Sequence, residues 1–174
     1  GYTRSGTCFK CAGLGDVAIF LAFGVLPPFG TWWVQTEQVS LTPVLWAVPL
    51  GLLTVAILHA NNWRDMETDA ARGCRTVAVR LGPRRSARYY RALILTPFGL
   101  VPALVGAGLA GLPVRAPLTT LCILLGLPFA WKLLCVQAEG DGPTVSMLDD
   151  KTARLQMLFG LLLIVSFFVG RHVG

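Results

Sequence analysis

The feature that most limits what this chain can become is a succession of apolar runs, each suited to the interior of a lipid bilayer. A spanning helix takes roughly 20 predominantly apolar residues. Five segments read as spans: residues 14–34, 41–60, 89–109, 118–136 and 155–169. Pro97 and Pro102 interrupt the third, but neighbouring helices satisfy the backbone groups that a proline frees. An open sheet leaves backbone groups unpaired in lipid and cannot cross it. The expected fold class is therefore all-α, an integral membrane helical bundle of about five transmembrane helices. The composition agrees, with 14% charged residues, 54% hydrophobic residues and a mean hydropathy of +0.62. Soluble domains carry about 25% charge.

A net charge of +6 raises nucleic acid as a partner, but the placement of the charges argues against it. Eight of the fifteen basic residues are Arg64, Arg72, Arg75, Arg80, Arg84, Arg85, Arg88 and Arg91. Read as one loop from Arg64 to Arg91, they belong on the cytoplasmic side by the positive-inside rule. Arg4 and Lys10 precede the first span on that same side, and Lys132, Lys151 and Arg154 flank the fourth-to-fifth turn there. The turn at 35–40 has no basic residue and belongs outside; Arg115 is a minor exception in the other outer turn. The partner these charges imply is the lipid bilayer, with the amino terminus inside and the carboxyl terminus outside.

Cysteine usage adds little. Cys8 and Cys11 have metal-like spacing, but no second pair follows, and His59 and His172 are far apart. Packing residues near a helix start is the expectation for Cys8 and Cys11, and packing within a span for Cys122 and Cys135. Trp32, Trp33 and Trp46 suit an interfacial belt. The chain opens on Gly1 without a signal-peptide pattern, so the expectation is one transmembrane domain over 1–174, truncated at its amino terminus.

The second span breaks abruptly into Asn61-Asn62-Trp63-Arg64-Asp65-Met66-Glu67-Thr68-Asp69. Charged side chains at membrane depth are costly and usually mark function. If the helix continues, Asp65 and Asp69 share a face with Cβ atoms about 6 Å apart, and Asn61 lies one turn earlier on the same stripe. Two carboxylates so placed repel unless a divalent cation joins them. Mg²⁺ is typically held by one or two carboxylates plus substrate phosphates. Arg64, Arg72 and Arg75 follow closely, and guanidinium groups match phosphate oxygens in bidentate geometry. A cation site beside anion-binding arginines in an apolar bundle suits a diphosphate carrying a lipid tail. The plainer reading is a solvated charge run with ordinary ion pairs. The direct abutment on a span and the uncharged Asn61-Asn62 pair weigh against it.

The stretch Asn61–Gly82 resembles the second aspartate-rich motif of the UbiA superfamily of membrane prenyltransferases. It is most similar to the branch that prenylates 1,4-dihydroxy-2-naphthoate or menadiol in menaquinone (vitamin K2) synthesis. The matching positions are Asn61, Asn62, Arg64, Asp65, Asp69, Gly73, Thr76, Ala78 and Gly82. Tyr2-Thr3, Gly13-Leu14-Gly15-Asp16, Phe23-Gly24 and Thr152-Ala153-Arg154-Leu155 extend the resemblance over nearly the whole chain. It implies a Mg²⁺-dependent transfer from a polyprenyl diphosphate to an aromatic acceptor. Asp65 and Asp69 would ligate the metal, and Asn61 and Asn62 would support it or the diphosphate. Arg64, Arg72, Arg75 and Lys10 would hold the diphosphate, with membrane anchoring as the other reading of Lys10. Asp16 would orient Lys10 or the acceptor.

Two departures from that pattern matter. Cys74 stands where the branch often carries Lys, so one phosphate contact is either absent or supplied by Arg75. No first aspartate-rich motif precedes the first span, so the chain corresponds to spans five to nine of a nine-helix fold, with half of the metal cage. The other half would lie in a missing segment or on a separate polypeptide. A CDP-alcohol phosphotransferase is disfavoured, because no glycine sits four residues before Asp65 and no upstream Asp-Gly-x-x-Ala-Arg occurs. A non-catalytic membrane protein that binds isoprenoid or quinone, or a different aromatic acceptor, are the remaining alternatives.

Overall fold

The computed structural model describes residues 8–114, 117–138 and 147–173. Of the residues invoked above, Tyr2, Thr3, Arg4 and Arg115 lie outside these, as does the side chain of His172. The described residues form helices and turns only. Five helical stretches are long and apolar enough to cross a membrane: Gly15–Thr36, Thr42–Arg64, Val77–Leu109, Leu118–Cys135 and Leu148–Arg171. The all-α membrane bundle expected from the apolar runs is the fold observed.

The first helix, α1 (Gly15–Thr36), carries a π-helical turn at Leu21–Val25. Pro27 and Pro28 follow that turn and lack the N–H groups that the carbonyls of Phe23 and Gly24 would otherwise receive. α2 (Thr42–Arg64) crosses α1 where Gly24 meets Gly51. A Cβ built on Gly51 would lie 2.7 Å from the Gly24 Cα, so only glycine permits this approach. A short α3 (Met66–Ala71) and a loop lead into α4 (Val77–Leu109). A nine-residue 3₁₀ segment, Leu118–Gly126, runs into α5 (Leu127–Ala138), and α6 (Leu148–Val173) closes the bundle. α2 sits at the centre, packed chiefly against α4 and α6.

Two spans begin earlier than the apolar runs suggest. α4 breaks at Gly82 (φ 70°) and restarts at Pro83, so Arg84, Arg85, Arg88 and Arg91 lie on a helix and not in a loop. All four arginines are exposed, while Ser86, Tyr90, Leu93, Ile94, Pro97 and Phe98 on the same helix are buried. Helical spacing lets one face carry the charges and the other the core. Likewise α6 starts at Leu148, because Leu148, Thr152, Leu155, Phe159 and Leu163 form one buried stripe. Hydropathy averaged around a helix hides both stripes where the outer face is charged.

The core joins Trp46 edge-on to Phe167 (centroids 4.9 Å apart) and Phe98 edge-on to Phe159 (5.2 Å). Trp46 is buried, which corrects the belt expectation for it, whereas Trp32 and Trp33 are exposed. Tyr90 and Thr152 share a 2.6 Å hydrogen bond between α4 and α6. Gln156 donates to Thr54 at 3.0 Å between α6 and α2. Cys122 packs half-buried and points its thiol at the Leu162 carbonyl, but Cys135 is exposed and not a packing residue.

Candidate active site

The polar stretch is not one continuous helix. α2 ends at Arg64, Asp65 takes up a non-helical conformation (φ −90°, ψ 11°), and α3 resumes at Met66. The break is slight, because Asp65 still donates its N–H to Asn61 (3.0 Å) and Asp69 donates to Asp65 (2.8 Å). The side chains at these positions nevertheless differ. Asp69 is 8% exposed and Asp65 44% exposed. The inward row consists of His59, Asn62 and Asp69, all buried. Asn62 and Asp69 are seven residues apart, about 20° short of two full helical turns, whereas Asp65 lies about 60° to one side of Asn62. The expected row of Asn61, Asp65 and Asp69 is therefore the half-exposed shoulder of this face, with only Asp69 fully inside.

After α3 the chain reverses through a Schellman motif. Gly73 (φ 71°) donates to the Ala70 carbonyl at 3.0 Å, and Cys74 donates to the Asp69 carbonyl at 2.8 Å. The left-handed conformation at Gly73 is what glycine supplies. Thr76 then caps α4 by accepting the Val79 N–H at 3.2 Å.

This reversal delivers Cys74, buried, to Cys11, and the two form a disulfide. The packing role expected for Cys11 is corrected: it is a cross-link between segments remote in the chain. Backbone links run beside it. Arg75 donates its N–H to the Cys11 carbonyl at 3.2 Å. Arg80 spans both segments, donating to the Ala12 carbonyl at 2.7 Å and to the Arg75 carbonyl at 3.0 Å.

The docked segment places Lys10 on Asp69. Its Nζ lies 3.1 Å from both carboxylate oxygens, donates to Oδ1, and leaves Oδ2 buried without a hydrogen bond. Ion pairing is what makes a carboxylate tolerable at this depth. Arg64, by contrast, is committed to two carboxylates, Asp65 at 3.1 Å and Asp149 of α6 at 2.7 Å. Arg72 and Arg75 stand exposed on either side of Gly73-Cys74. Asn61 is half-buried beside the mouth of this cluster.

A second buried polar group was not legible in the motif. Asp16 of α1 faces His59 of α2 at 3.8 Å, and Tyr89 of α4 meets the His59 ring edge-on at 4.8 Å. Asp16 and His59 are both buried, with Tyr89 beside them. Asp16 is thus placed against His59 and not Lys10, which is on Asp69; of the two expected roles, orienting Lys10 or the acceptor, the acceptor remains open to it. Asp16 was singled out by the Gly13–Asp16 resemblance, whereas for His59 the sequence signal was its helical register with Asn62.

The donor set fits a divalent cation shared with phosphate. Asp69 Oδ2 makes no hydrogen bond and is held only by the Lys10 charge at 3.1 Å, and Asp65 lies one turn away at the exposed edge, where phosphate oxygens and water would complete a shell. Among the described residues, no cluster of three or more metal-binding side chains occurs.

A profile of the UbiA prenyltransferase family matches residues 1–146. The chain is 36% identical to UbiA prenyltransferase domain-containing protein 1 of Gallus gallus over 156 residues, 90% of this chain and 44% of that protein. It is 35% identical to the Xenopus tropicalis protein of the same name, again over 90% of this chain and 42% of that protein. The Drosophila melanogaster homolog is 32% identical over 161 residues, 92% of this chain and 42% of that protein. The chain thus spans less than half the length of the curated relatives it matches. A family match that takes in the first four spans and the whole Asn61–Gly82 motif leads to one conclusion: this chain belongs to the UbiA prenyltransferase family.

Proposed function

We propose that this chain transfers a polyprenyl group from its diphosphate to an aromatic acceptor within the bilayer. The observation that carries this reading is Asp69: a buried carboxylate neutralised by Lys10 at 3.1 Å, with Asp65 one turn away and Arg72 and Arg75 at the rim. The half-site is built for an anion and a cation together.

On this reading Asp69 and Asp65 would hold Mg²⁺, which would supply charge neutralisation for the departing diphosphate. Lys10, now on Asp69, would be within reach of a diphosphate oxygen once a cation took its place on the carboxylate. Arg72 and Arg75 would meet the diphosphate from the exposed side, and Asn61 and Asn62 would donate amide N–H groups to it. Arg64 ties α2 to α6 through Asp149 and acts as a positioning residue. The allylic carbon–oxygen bond breaks, the electron pair leaves with diphosphate, and a ring carbon of the acceptor attacks the allylic cation. The ring then loses the group it carried at that carbon. The acceptor we favour is 1,4-dihydroxy-2-naphthoate, which loses its carboxylate as CO₂ on the way to menaquinone; the wording of the Asn61–Gly82 motif supports it. The mouth faces the cytoplasm, in keeping with the arginines around it.

The test is prenyl transfer by the detergent-purified protein, with Mg²⁺, a polyprenyl diphosphate and a panel of aromatic acceptors. Product formation that needs both Mg²⁺ and Asp69 supports the reading. Binding of the prenyl diphosphate without product on any acceptor would instead identify a non-catalytic isoprenoid binder.

A further inference from the structure

The Cys11–Cys74 disulfide joins two segments that each carry site residues next to the bonded cysteine. Lys10 immediately precedes Cys11, and Arg72 and Arg75 flank Cys74. Cys74 also donates its N–H to the carbonyl of Asp69, so the cross-link is anchored on the carboxylate-bearing residue. While the bond is closed, the Lys10 backbone stays within side-chain reach of Asp69, and its ammonium occupies the oxygens a cation needs. A tether of this kind acts as a high effective concentration of competing charge. Cys8 shares the same turn, its sulfur accepting the Cys11 N–H at 3.4 Å, which places a third sulfur beside the bond. The surrounding arginines favour the cytoplasmic side, where disulfides are typically transient and catalytic or redox-sensing.

We propose that Cys11–Cys74 is a reversible redox modification site that sets the affinity of Asp69 for a divalent cation. Closed, it holds Lys10 on Asp69. Opened by a dithiol reductant, it lets the Lys10 segment withdraw and frees the carboxylate. The exchange balances without other reactants. One thiolate of the dithiol attacks a sulfur of the bridge, and the other cysteine leaves as a thiolate. The second thiol of the reductant then resolves the mixed disulfide. Two electrons pass to the protein, leaving two cysteine thiols and an oxidised dithiol. This inference rests on the reading of Asp69 as a cation ligand, but not on turnover.

Linkage makes the idea testable without activity: if opening the bridge strengthens cation binding, the cation must favour the open bridge by the same factor. Detergent-purified protein is equilibrated at a fixed ratio of reduced to oxidised dithiothreitol, with and without Mg²⁺. It is then quenched in acid and alkylated, and the Cys11 and Cys74 peptides are weighed. Mg²⁺ is expected to raise the ratio of open to closed bridge by about 5-fold or more. Asp69→Asn should abolish the effect. Lys10→Gln, which keeps Asp69, should abolish most of it, and serves if the first variant fails to fold. An open-to-closed ratio indifferent to Mg²⁺ overturns the proposal, as does a bridge that is never found oxidised. Prenyl transfer without this linkage would sink the redox site and leave the proposed function standing. Linkage without transfer would do the reverse.

Discussion

α1 and α2 are nearly equal in hydropathy, 1.7 against 1.8, yet 6% of the α1 window is buried inside the bundle and 44% of the α2 window. Lipid tails are as apolar as leucine, so hydropathy says that a helix enters the membrane and nothing about what it touches there. What separates the two is the content of their faces. α2 carries Trp46, Leu53, Ala56, His59 and Asn62 on sides met by α4 and α6. α1 shows Leu21, Phe23, Leu26, Trp33 and Val34 outward and keeps mainly Gly15, Asp16 and Gly24 inside. The contrast extends to chemistry: the end of α2 runs into the aspartates, and the lead-in to α1 contributes the lysine that covers one of them.

The sharpest way to break this contrast is at Asp69, the buried end of the α2 side. Asp69→Asn should lower prenyl transfer about 100-fold or more, as for loss of a group that stabilises charge in the transition state. Asp65→Asn should also lower it. The thermal unfolding midpoint in detergent should stay near wild type for both. Wild-type rates in either would remove that carboxylate from the cation site.

The helix crossing comes next in size. Gly51→Val forces a branched side chain into the Gly24 backbone and should destabilise the bundle by about 1–3 kcal/mol. A lowered midpoint in a detergent melting assay checks it. Gly30→Ala on α1, where an added Cβ meets nothing within 4 Å, should be neutral or slightly stabilising in the same assay. Equal losses at both positions would erase the distinction between the two helices.

Smaller still is Tyr90→Phe, which deletes the bond to Thr152 and should cost about 0.6 kcal/mol, the average for a hydrogen bond between membrane helices. The smallest effect belongs to Phe23→Leu on the exposed face of α1, with melting and transfer both unchanged. A large loss there would mean that the outward face of α1 is not in contact with lipid alone.

The five spans were legible because each is a run of residues whose burial in lipid needs no partner. Their starts were less so. Arg84 to Arg91 read as a loop by charge, yet Ser86, Tyr90 and Leu93 carry the buried face of α4 through that region. In the candidate site, the sequence pointed to Asp65 and Asp69 through their spacing and to Arg72 and Arg75 through proximity. It did not distinguish the two aspartates, because a helical register orders residues around an axis without saying which direction is inward. The spacing marks Arg64 as a phosphate ligand, and its ion pair with Asp149, remote in the chain, is not readable from the sequence. Asp16 and His59 come from different helices, and no local pattern links them.

Periodicity and hydropathy are local quantities, so the chain's residues alone were enough to specify helices, a membrane setting and a motif rich in carboxylates and arginines. Which carboxylate is buried, which lysine pairs with it, and that Cys11 meets Cys74 depend on how separate helices and turns dock. Those contacts join residues far apart in the chain, and only the packed bundle brings them within bonding distance.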